Sequence, residues 1–503
     1  MLRGWLDNLD KKKVYRYLEL IPGVLVWLTL IGTIVLSFVR PLWAIYVIIL
    51  FDLYWLLRVL YLIIHLLSSW KKYRRTMQTD WSLVLPTLPR ADKIYHLIFL
   101  PTFREPYEVI HKSLESLTKV KYPLDKFIVV LAGEERDQEN FTNISAKIKQ
   151  TFGHKFGHFL ITLHPGNIIG EIAGKGANIH WAGHRAKELV DKLGIPYENI
   201  IVSTFDVDSC AHQNYFAYLT YIYLTTPDNL HSSYQPIAIY NNNIWESPAI
   251  NRVVANSTTF WLLTDLARPE RLFTFSSHSM PFKALVDVGF WQNDIVTEDS
   301  RIFLQCFIRY NGNYRVTPLY IPISMDTVYA GSFWRSVVNQ YKQQRRWAYG
   351  VENFPYMAWH FWRSRTIPFN RKLRYIWNQL EGVYSWATAP LIIFILGRLP
   401  LLVADETVKS NLLAHNAPVA LQWLMTMAMI GLIFSSALST SLLPPKPKNA
   451  SWIKYIPMIA QWFLFPITMV LFGAIPATDA QTRLMLGKYL GFWVTEKKQA
   501  AKV

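Results

Sequence analysis

Apolar stretches long enough to cross a bilayer stand at both ends of this chain, so whatever it folds into must anchor a middle body between two sets of apolar helices. Leu20 to Val39 is nearly uncharged and as helix matches the roughly 30 Å of a hydrocarbon core. Arg40-Pro41 makes a tight turn, and Leu42 to Leu67 returns, ending in Lys71, Lys72, Arg74 and Arg75. Apolar stretches recur at Leu380 to Val403, Val419 to Leu442 and Ile456 to Gly473. A cleavable signal is the competing reading of the first stretch. It is too long, no small-residue cleavage pattern follows it, and a second apolar stretch begins at once.

Charge fixes the expected orientation. Arg3, Lys11, Lys12, Lys13 and Arg16 precede the first span, and the four bases after the second place both ends in the cytoplasm. Lys446, Lys448 and Lys454 put the connection after Leu442 inside. Lys488, Lys497, Lys498 and Lys502 pull the tail inside as well, so the last segment is expected to be broken at Pro466 or Pro476, re-entrant, or followed by another embedded piece. Because the bases flank apolar spans, the net charge of +17 reads as topology and not as a nucleic-acid surface. Asp52, Arg58 and His65 fall inside the second span and are expected to face helices, water or the interface. Two cysteines exclude a disulfide framework.

Between the apolar ends, strand and helix patterns alternate. His96 to Pro101 and Phe127 to Leu131 read as strands, Tyr107 to Thr118 and Ala177 to Leu193 as helices, and the first half of Ile200 to Ser209 as a buried strand that stops on Asp206 and Asp208. This is the pattern of an α/β domain with a parallel sheet. In such sheets ligands collect beyond the carboxyl ends of the strands. Two carboxylates one residue apart can there share a hard divalent cation with substrate phosphates, although a surface turn explains the same three residues equally well.

Three further stretches carry chemistry. Gly170 to Gly176 fails the Walker pattern, yet Lys175 in a glycine-flanked loop before a helix can meet a phosphate, with a solvated turn as the alternative. Glu298 and Asp299 sit near a helix start, where capping is one reading and a general base with a pKa raised by Phe290, Trp291 and Phe303 the other. Phe333 to Tyr349 and Tyr356 to Arg365 mix aromatics with bases and suit interface helices, with Gln343, Arg346 and Trp347 on one face. His154 with His158 and His180 with His184 have helical spacing but lack the glutamate of a zinc-protease motif.

Five motifs in order, Pro101-Thr102-Phe103-Arg104-Glu105, Gly174-Lys175-Gly176-Ala177-Asn178, Asp206-Val207-Asp208, Thr297-Glu298-Asp299 and Gln343-Gln344-Arg345-Arg346-Trp347, give a chain that resembles the membrane-embedded family 2 glycosyltransferases, the group containing cellulose, chitin and hyaluronan synthases. The resemblance implies a GT-A catalytic domain at residues 80–330, set between membrane regions at 1–79 and 373–503, with the interface helices at 331–372. It implies inverting transfer from a nucleotide diphosphate sugar, with Mg²⁺ or Mn²⁺ held by Asp208 and Asp206. Thr102, Glu105, Lys175, Asp206 and Arg346 would bind the donor, Asp299 would act as base supported by Glu298, and Trp347 and Gln343 would hold the acceptor. Relatives place an aspartate pair after the second strand; this chain has Leu131-Ala132-Gly133-Glu134-Glu135-Arg136-Asp137, where Glu134 is assigned to the donor. The acceptor region of relatives falls on Phe275-Ser276-Ser277-His278-Ser279, which assigns His278 to the acceptor. The expected partners are a nucleotide sugar, a glycan or lipid-linked acceptor, and membrane lipids. A processive polysaccharide synthase in the plasma membrane is the leading expectation, and transfer of one sugar to a membrane lipid the alternative.

Overall fold

The computed structural model describes residues 10–444 and 455–492. Arg3, Lys446, Lys448, Lys454, Lys497, Lys498 and Lys502, which entered the orientation argument, lie outside the described residues. Two long helices open the chain, α1 (Lys11–Val39) and α2 (Pro41–Gln78). A central body follows: β1 (Tyr95–Pro101), α3 (Tyr107–Thr118), β2 (Phe127–Glu134), α4 (Gln138–Phe152), β3 (His158–His164), α5 (Lys175–Leu193), β4 (Ile200–Thr204), β5 (Cys210–Ala211), α6 (Tyr215–Thr225), β6 (Ser232–Tyr240), α7 (Ala249–Leu266), β7 (Ser279–Pro281), α8 (Glu298–Arg309) and β8 (Arg315–Met325). Then come α9 (Phe333–Ala348), α10 (Asn353–Arg363), α11 (Phe369–Phe394), α12 (Leu412–Ser441) and a helical run from Tyr455 to Met485.

The strands form one mixed sheet in the order β3-β2-β1-β4-β7-β6-β8-β5. The half built from β3, β2, β1 and β4 is parallel. Its strands read as continuous apolar runs because both faces are covered. Leu97, Phe99, Ile128, Val130 and Val202 pack with Ile179, Ala182 and Ala186 of α5, whereas Ile98, Leu100, Val129 and Leu131 pack with Leu114 and Leu117 of α3 and Phe216 of α6. Register aligns the carboxyl ends: Pro101 pairs with Ala132 and Phe99 with Thr204. Thr102, Glu134 and Asp206 therefore emerge along one edge, the place where a twisted α/β sheet leaves a crevice.

The other half of the sheet was not legible as strand. Pro236, Pro318 and Pro322 interrupt β6 and β8, and proline in a strand pattern argues against a strand because it cannot donate to the ladder. The fold accommodates it with a register shift between Gln235 and Ile237. His158, paired by spacing with His154, opens β3 instead of continuing a helix.

Among the described residues three helical segments are long and apolar enough to cross a membrane, namely α1, α2 and Tyr455–Met485, and the pair Phe369–Phe394 with Leu396–Val403, bent by 48°, makes a fourth if counted as one. The apolar stretch expected to end at Leu67 does not stand wholly apart from the central body. Leu66 joins the core beneath the sheet, Lys72 donates to the Tyr320 hydroxyl at 3.2 Å, and α2 runs on to Gln78. The last helical run departs from α geometry at Gln461–Leu464, before Pro466, and at Met469–Ala474, before Pro476, as expected where a proline removes a backbone donor. The interface helices close over the carboxyl edge of the sheet, with α9 packed on the last run and α7.

His96 on β1 is fully buried among Tyr122, Phe127 and Phe216, with centroids 4.7, 5.7 and 4.8 Å away, and its Nε2 meets the Thr220 hydroxyl at 2.9 Å. Burial pushes its pKa down to about 3. The unfolded chain takes up a proton here near pH 6.5 that the folded chain refuses, so stability falls as pH drops from about 6.5 towards the folded value. A His96→Phe variant is expected to keep more of its thermal stability between neutral pH and pH ~4 than the parent; parallel melting-temperature profiles for the two would contradict this.

Candidate active site

The site grows from Lys175, the first residue of α5. Gly174 precedes it as helix cap, and a Cβ added at Gly176 would lie 3.2 Å from the Gln292 carbonyl and 3.3 Å from Glu298 Cβ. The glycine after the lysine thus lets the helix start press against the second acidic motif. Asn178 ties the same turn to the sheet by donating to the Ala132 carbonyl at 2.8 Å. From this position the Lys175 ammonium donates to Asp206 Oδ1 at 2.8 Å and to Asp299 Oδ2 at 2.8 Å, and stands 3.8 Å from Glu298 Oε1. Acids 92 and 93 residues apart in sequence, Asp206 to Glu298 and Asp299, share one cation.

Electrostatics follow from burial. The Lys175 side chain is 10% exposed; burial alone would lower its pKa, but Asp206, Asp299 and Glu298 hold it well above the ordinary lysine range. Glu298 is pushed up to about 8, first by burial and then by the charge of Asp299, against the pull of Lys175. The carboxylate of this motif that burial raises is therefore Glu298. Glu105 accepts from the Thr102 hydroxyl at 2.8 Å and from the Phe103 amide, and burial raises it to about 7.

Thr102, Glu105, Glu134, Lys175, Asp206, Asp208, Glu298, Asp299, Gln343, Arg346 and Trp347 all line one cavity of about 1360 Å³. His278 does not. It is 1% exposed, its Nδ1 faces the Phe275 carbonyl at 2.9 Å and stands 3.8 Å from Asp299 Oδ1, and burial lowers its pKa. It sits behind Asp299 and offers no surface to an acceptor. Glu134 is 3% exposed and pairs with Arg136, whose guanidinium lies 4.5 Å from the Phe103 ring centre.

Several neighbours were given no role of their own in the sequence argument, Ser276 among them although it falls in the stretch Phe275 to Ser279. Ser276, brought beside β4 by the antiparallel pairing of β7, donates to Asp206 Oδ2 at 2.7 Å. The Asp326 amide, just beyond β8, donates to Asp208 Oδ2 at 3.0 Å. Asp326 carried a usable signal, an acid ending an apolar run, as Asp206 does. Phe492 lines the cavity with its ring 4.9 Å from the Arg346 guanidinium, and Trp347 lies 5.9 Å from Tyr240. No local pattern announces either pairing, because both join elements far apart in sequence.

Among the described residues no group of three or more His, Cys, Asp or Glu could hold a metal ion. Asp206 and Asp208 nevertheless offer two hard oxygen donors on the cavity wall. That suits an ion such as Mg²⁺, which binds through one or two carboxylates and completes its shell with phosphates and water.

If the ammonium holds this acidic cluster together, Lys175→Met should cost about 3–5 kcal/mol, the usual consequence of removing one partner of a buried pair. With the cation gone Glu298 loses the pull that opposes its burial and its pKa rises further, so the deficit should grow as pH rises and shrink as pH falls. A thermal-shift series showing the same offset at all pH values would refute this arrangement.

Residues 201–475, more than half of the 503, match the model of the family described as glycosyl transferase family group 2. No curated protein matches the chain significantly. Among solved structures, it is similar to a mannosyltransferase from Pyrobaculum calidifontis in complex with GDP-Man and Mn²⁺, at 16% identity and a TM-score of 0.44, covering 78% of this chain and 99% of that one. Residues 1–349 of S. aureus TarS are similar at 12% identity and a TM-score of 0.37, covering 69% of this chain and 91% of that one.

Proposed function

We propose that this chain, which belongs to glycosyl transferase family group 2 and is a glycosyltransferase, transfers a sugar with inversion from a nucleoside diphosphate donor to an acceptor held on the membrane side of its cavity. The observation that carries the proposal is the convergence of Asp206, Glu298 and Asp299 on Lys175, in a cavity also lined by Arg346 and Trp347. The nucleotide lies along the sheet edge at Thr102, Glu105 and Glu134. Lys175 and the planar fork of Arg346 reach the diphosphate. Asp206 and Asp208 are the residues to hold Mg²⁺ or Mn²⁺, which when bound neutralises the leaving nucleoside diphosphate.

Asp299 takes the acceptor hydroxyl proton. The acceptor oxygen bonds to the anomeric carbon as the bond from that carbon to the phosphate oxygen breaks, and the nucleoside diphosphate departs with the electron pair. This single displacement needs no covalent sugar intermediate, unlike a retaining glycosidase. Burial favours the protonated form of Glu298, which lessens the repelling charge beside the base. Trp347 offers an aromatic face to the acceptor and Gln343 a side-chain amide. His278 acts from behind, positioning Asp299.

The apolar helices at both ends support a domain set between two membrane regions, and the basic residues beside them support a cytoplasmic face. The cavity continues from the acids to α2, α11 and Phe465–Phe472, whose lining residues there include Leu62, Ile63, Pro390, Ile393, Phe465 and Phe472. Such walls suit a lipid-borne acceptor. The processive synthase is the second reading, favoured by Trp55, Trp261, Trp386 and Trp462 on the same walls, which could stack on sugar rings. Incubating membranes with radiolabelled nucleotide sugars and sizing the products separates the two: a single-sugar lipid ends the processive reading, and a long polymer ends the other. Asp299→Asn is expected to slow transfer by about 10²–10⁴-fold, the range for a lost general base, while donor affinity stays nearly intact; a matching loss of donor affinity would remove the base assignment.

A further inference from the structure

The loop that carries Asp299 is held from outside the cavity, by the turn that follows α9. Tyr349–Glu352 closes that helix and leads into α10, so Glu352 stands five residues after Trp347. Thr297, Asp299, Arg346, Trp347, Val351 and Asn353 line the cavity, and Glu352 does not. Its carboxylate turns to the loop instead. The Thr297 hydroxyl donates to Glu352 Oε1 at 2.5 Å, and the backbone amides of Val296 and Thr297 face the same group.

Arg301, one turn into α8, fastens the loop a second time. It is 2% exposed. Its Nε donates to Asn353 Oδ1 at 2.7 Å, Nη1 to Gln292 Oε1 at 2.8 Å and Nη2 to the Glu352 carbonyl at 3.2 Å. The guanidinium lies 3.9 Å from the ring centre of Tyr356 on α10, and Asn353 donates to the Ser300 hydroxyl at 2.8 Å. Arg301 thus closes residues 292–301 on themselves and pins them to the α9–α10 junction. Because it meets the backbone carbonyl of Glu352, the Glu352 side chain is left to Thr297. On the sheet side Asp299 is held by Lys175, the cation for which a donor diphosphate competes on the proposed reading. A hold that substrate does not disturb therefore has to come from the other side.

We infer that Glu352 is a positioning residue for the transfer step: through Thr297 it sets Asp299 against the helix that carries Arg346 and Trp347. α9 presents side chains to donor and acceptor, and its end turn grips the loop of the base, so one element keeps both at a fixed separation. Such a device matters because a misplacement of about 1 Å costs on the order of 10²-fold in rate. The inference rests on the transferase reading and on Asp299 as the base.

The test measures transfer from radiolabelled UDP- and GDP-linked sugars in membranes containing each variant, and UDP and GDP binding with Mg²⁺ to the purified full chain. Glu352→Leu is expected to lower kcat by about 10–100-fold, with donor KM and nucleoside diphosphate affinity within about twofold of the parent. Glu352→Gln keeps an oxygen for the Thr297 hydroxyl and is expected to recover most of the rate. Thr297→Val removes the other partner and is expected to match Glu352→Leu, with the double variant no slower than either, as residues acting through one contact behave. Where melting curves show that Glu352→Leu does not fold, Thr297→Val decides by the same split between kcat and affinity. Losses that multiply in the double variant, a fall in affinity as large as the fall in kcat, or full activity in Glu352→Leu overturns the inference. A parent chain that transfers none of the sugars counts instead against the transferase reading, and transfer that survives Asp299→Asn against the base.

Discussion

One buried ammonium organises the catalytic half of this molecule. Three carboxylates cannot gather in a partly desolvated pocket unless a cation compensates them, and Lys175 supplies it from the first turn of α5, 2.8 Å from Asp206 and 2.8 Å from Asp299. The rest of the site is arranged to permit that meeting. Gly176 allows the approach of Glu298, the parallel half of the sheet sets Asp206 beyond β4, and α8 begins at Glu298 so that its first turn faces the lysine. A donor diphosphate brings competing negative charge to the same ammonium. On the proposed reading, binding it would loosen the hold on Asp299 at the moment a base is needed.

How much of this was legible from sequence depends on the range of the signal. Within the parallel half, β1, β2, β4, α3 and α5 were read to within a few residues, because a strand buried on both faces leaves an unbroken apolar run and an amphipathic helix leaves a 3.6 period; Tyr107–Thr118 is the clearest case, whereas α4 and β3 were passed over. The antiparallel half was not, since Pro236, Pro318 and Pro322 mask β6 and β8. The residues that line the cavity were quoted as motifs, yet which of them meet was beyond local pattern. Lys175 was weighed against a solvated turn, and only three-dimensional structure puts it among the acids. His278 shows the converse: a residue type suited to contact an acceptor is packed behind Asp299 instead.

The membrane-side half obeys a different constraint. Charged groups there persist only where other groups compensate them, and Arg58, Glu381, Arg271, Asp265 and Arg268 form one such set. Asp52, Arg58 and His65 were expected to avoid lipid. Asp52 is 8% exposed, Arg58 pairs with Glu381, and His65 Nδ1 lies 2.8 Å from the Tyr61 carbonyl. The cavity joins this belt to the acids, which gives one route between the carboxyl edge of the sheet and the apolar helices.

The most direct test of the central claim is an experimental structure of the full chain with a non-hydrolysable nucleotide-sugar analogue and a divalent cation. The account predicts the diphosphate between Lys175, Arg346 and the Asp206–Asp208 pair, with Lys175 drawn away from Asp299 and the sugar's anomeric carbon facing that carboxylate. A diphosphate bound elsewhere, with Lys175 and Asp299 still paired, would contradict it.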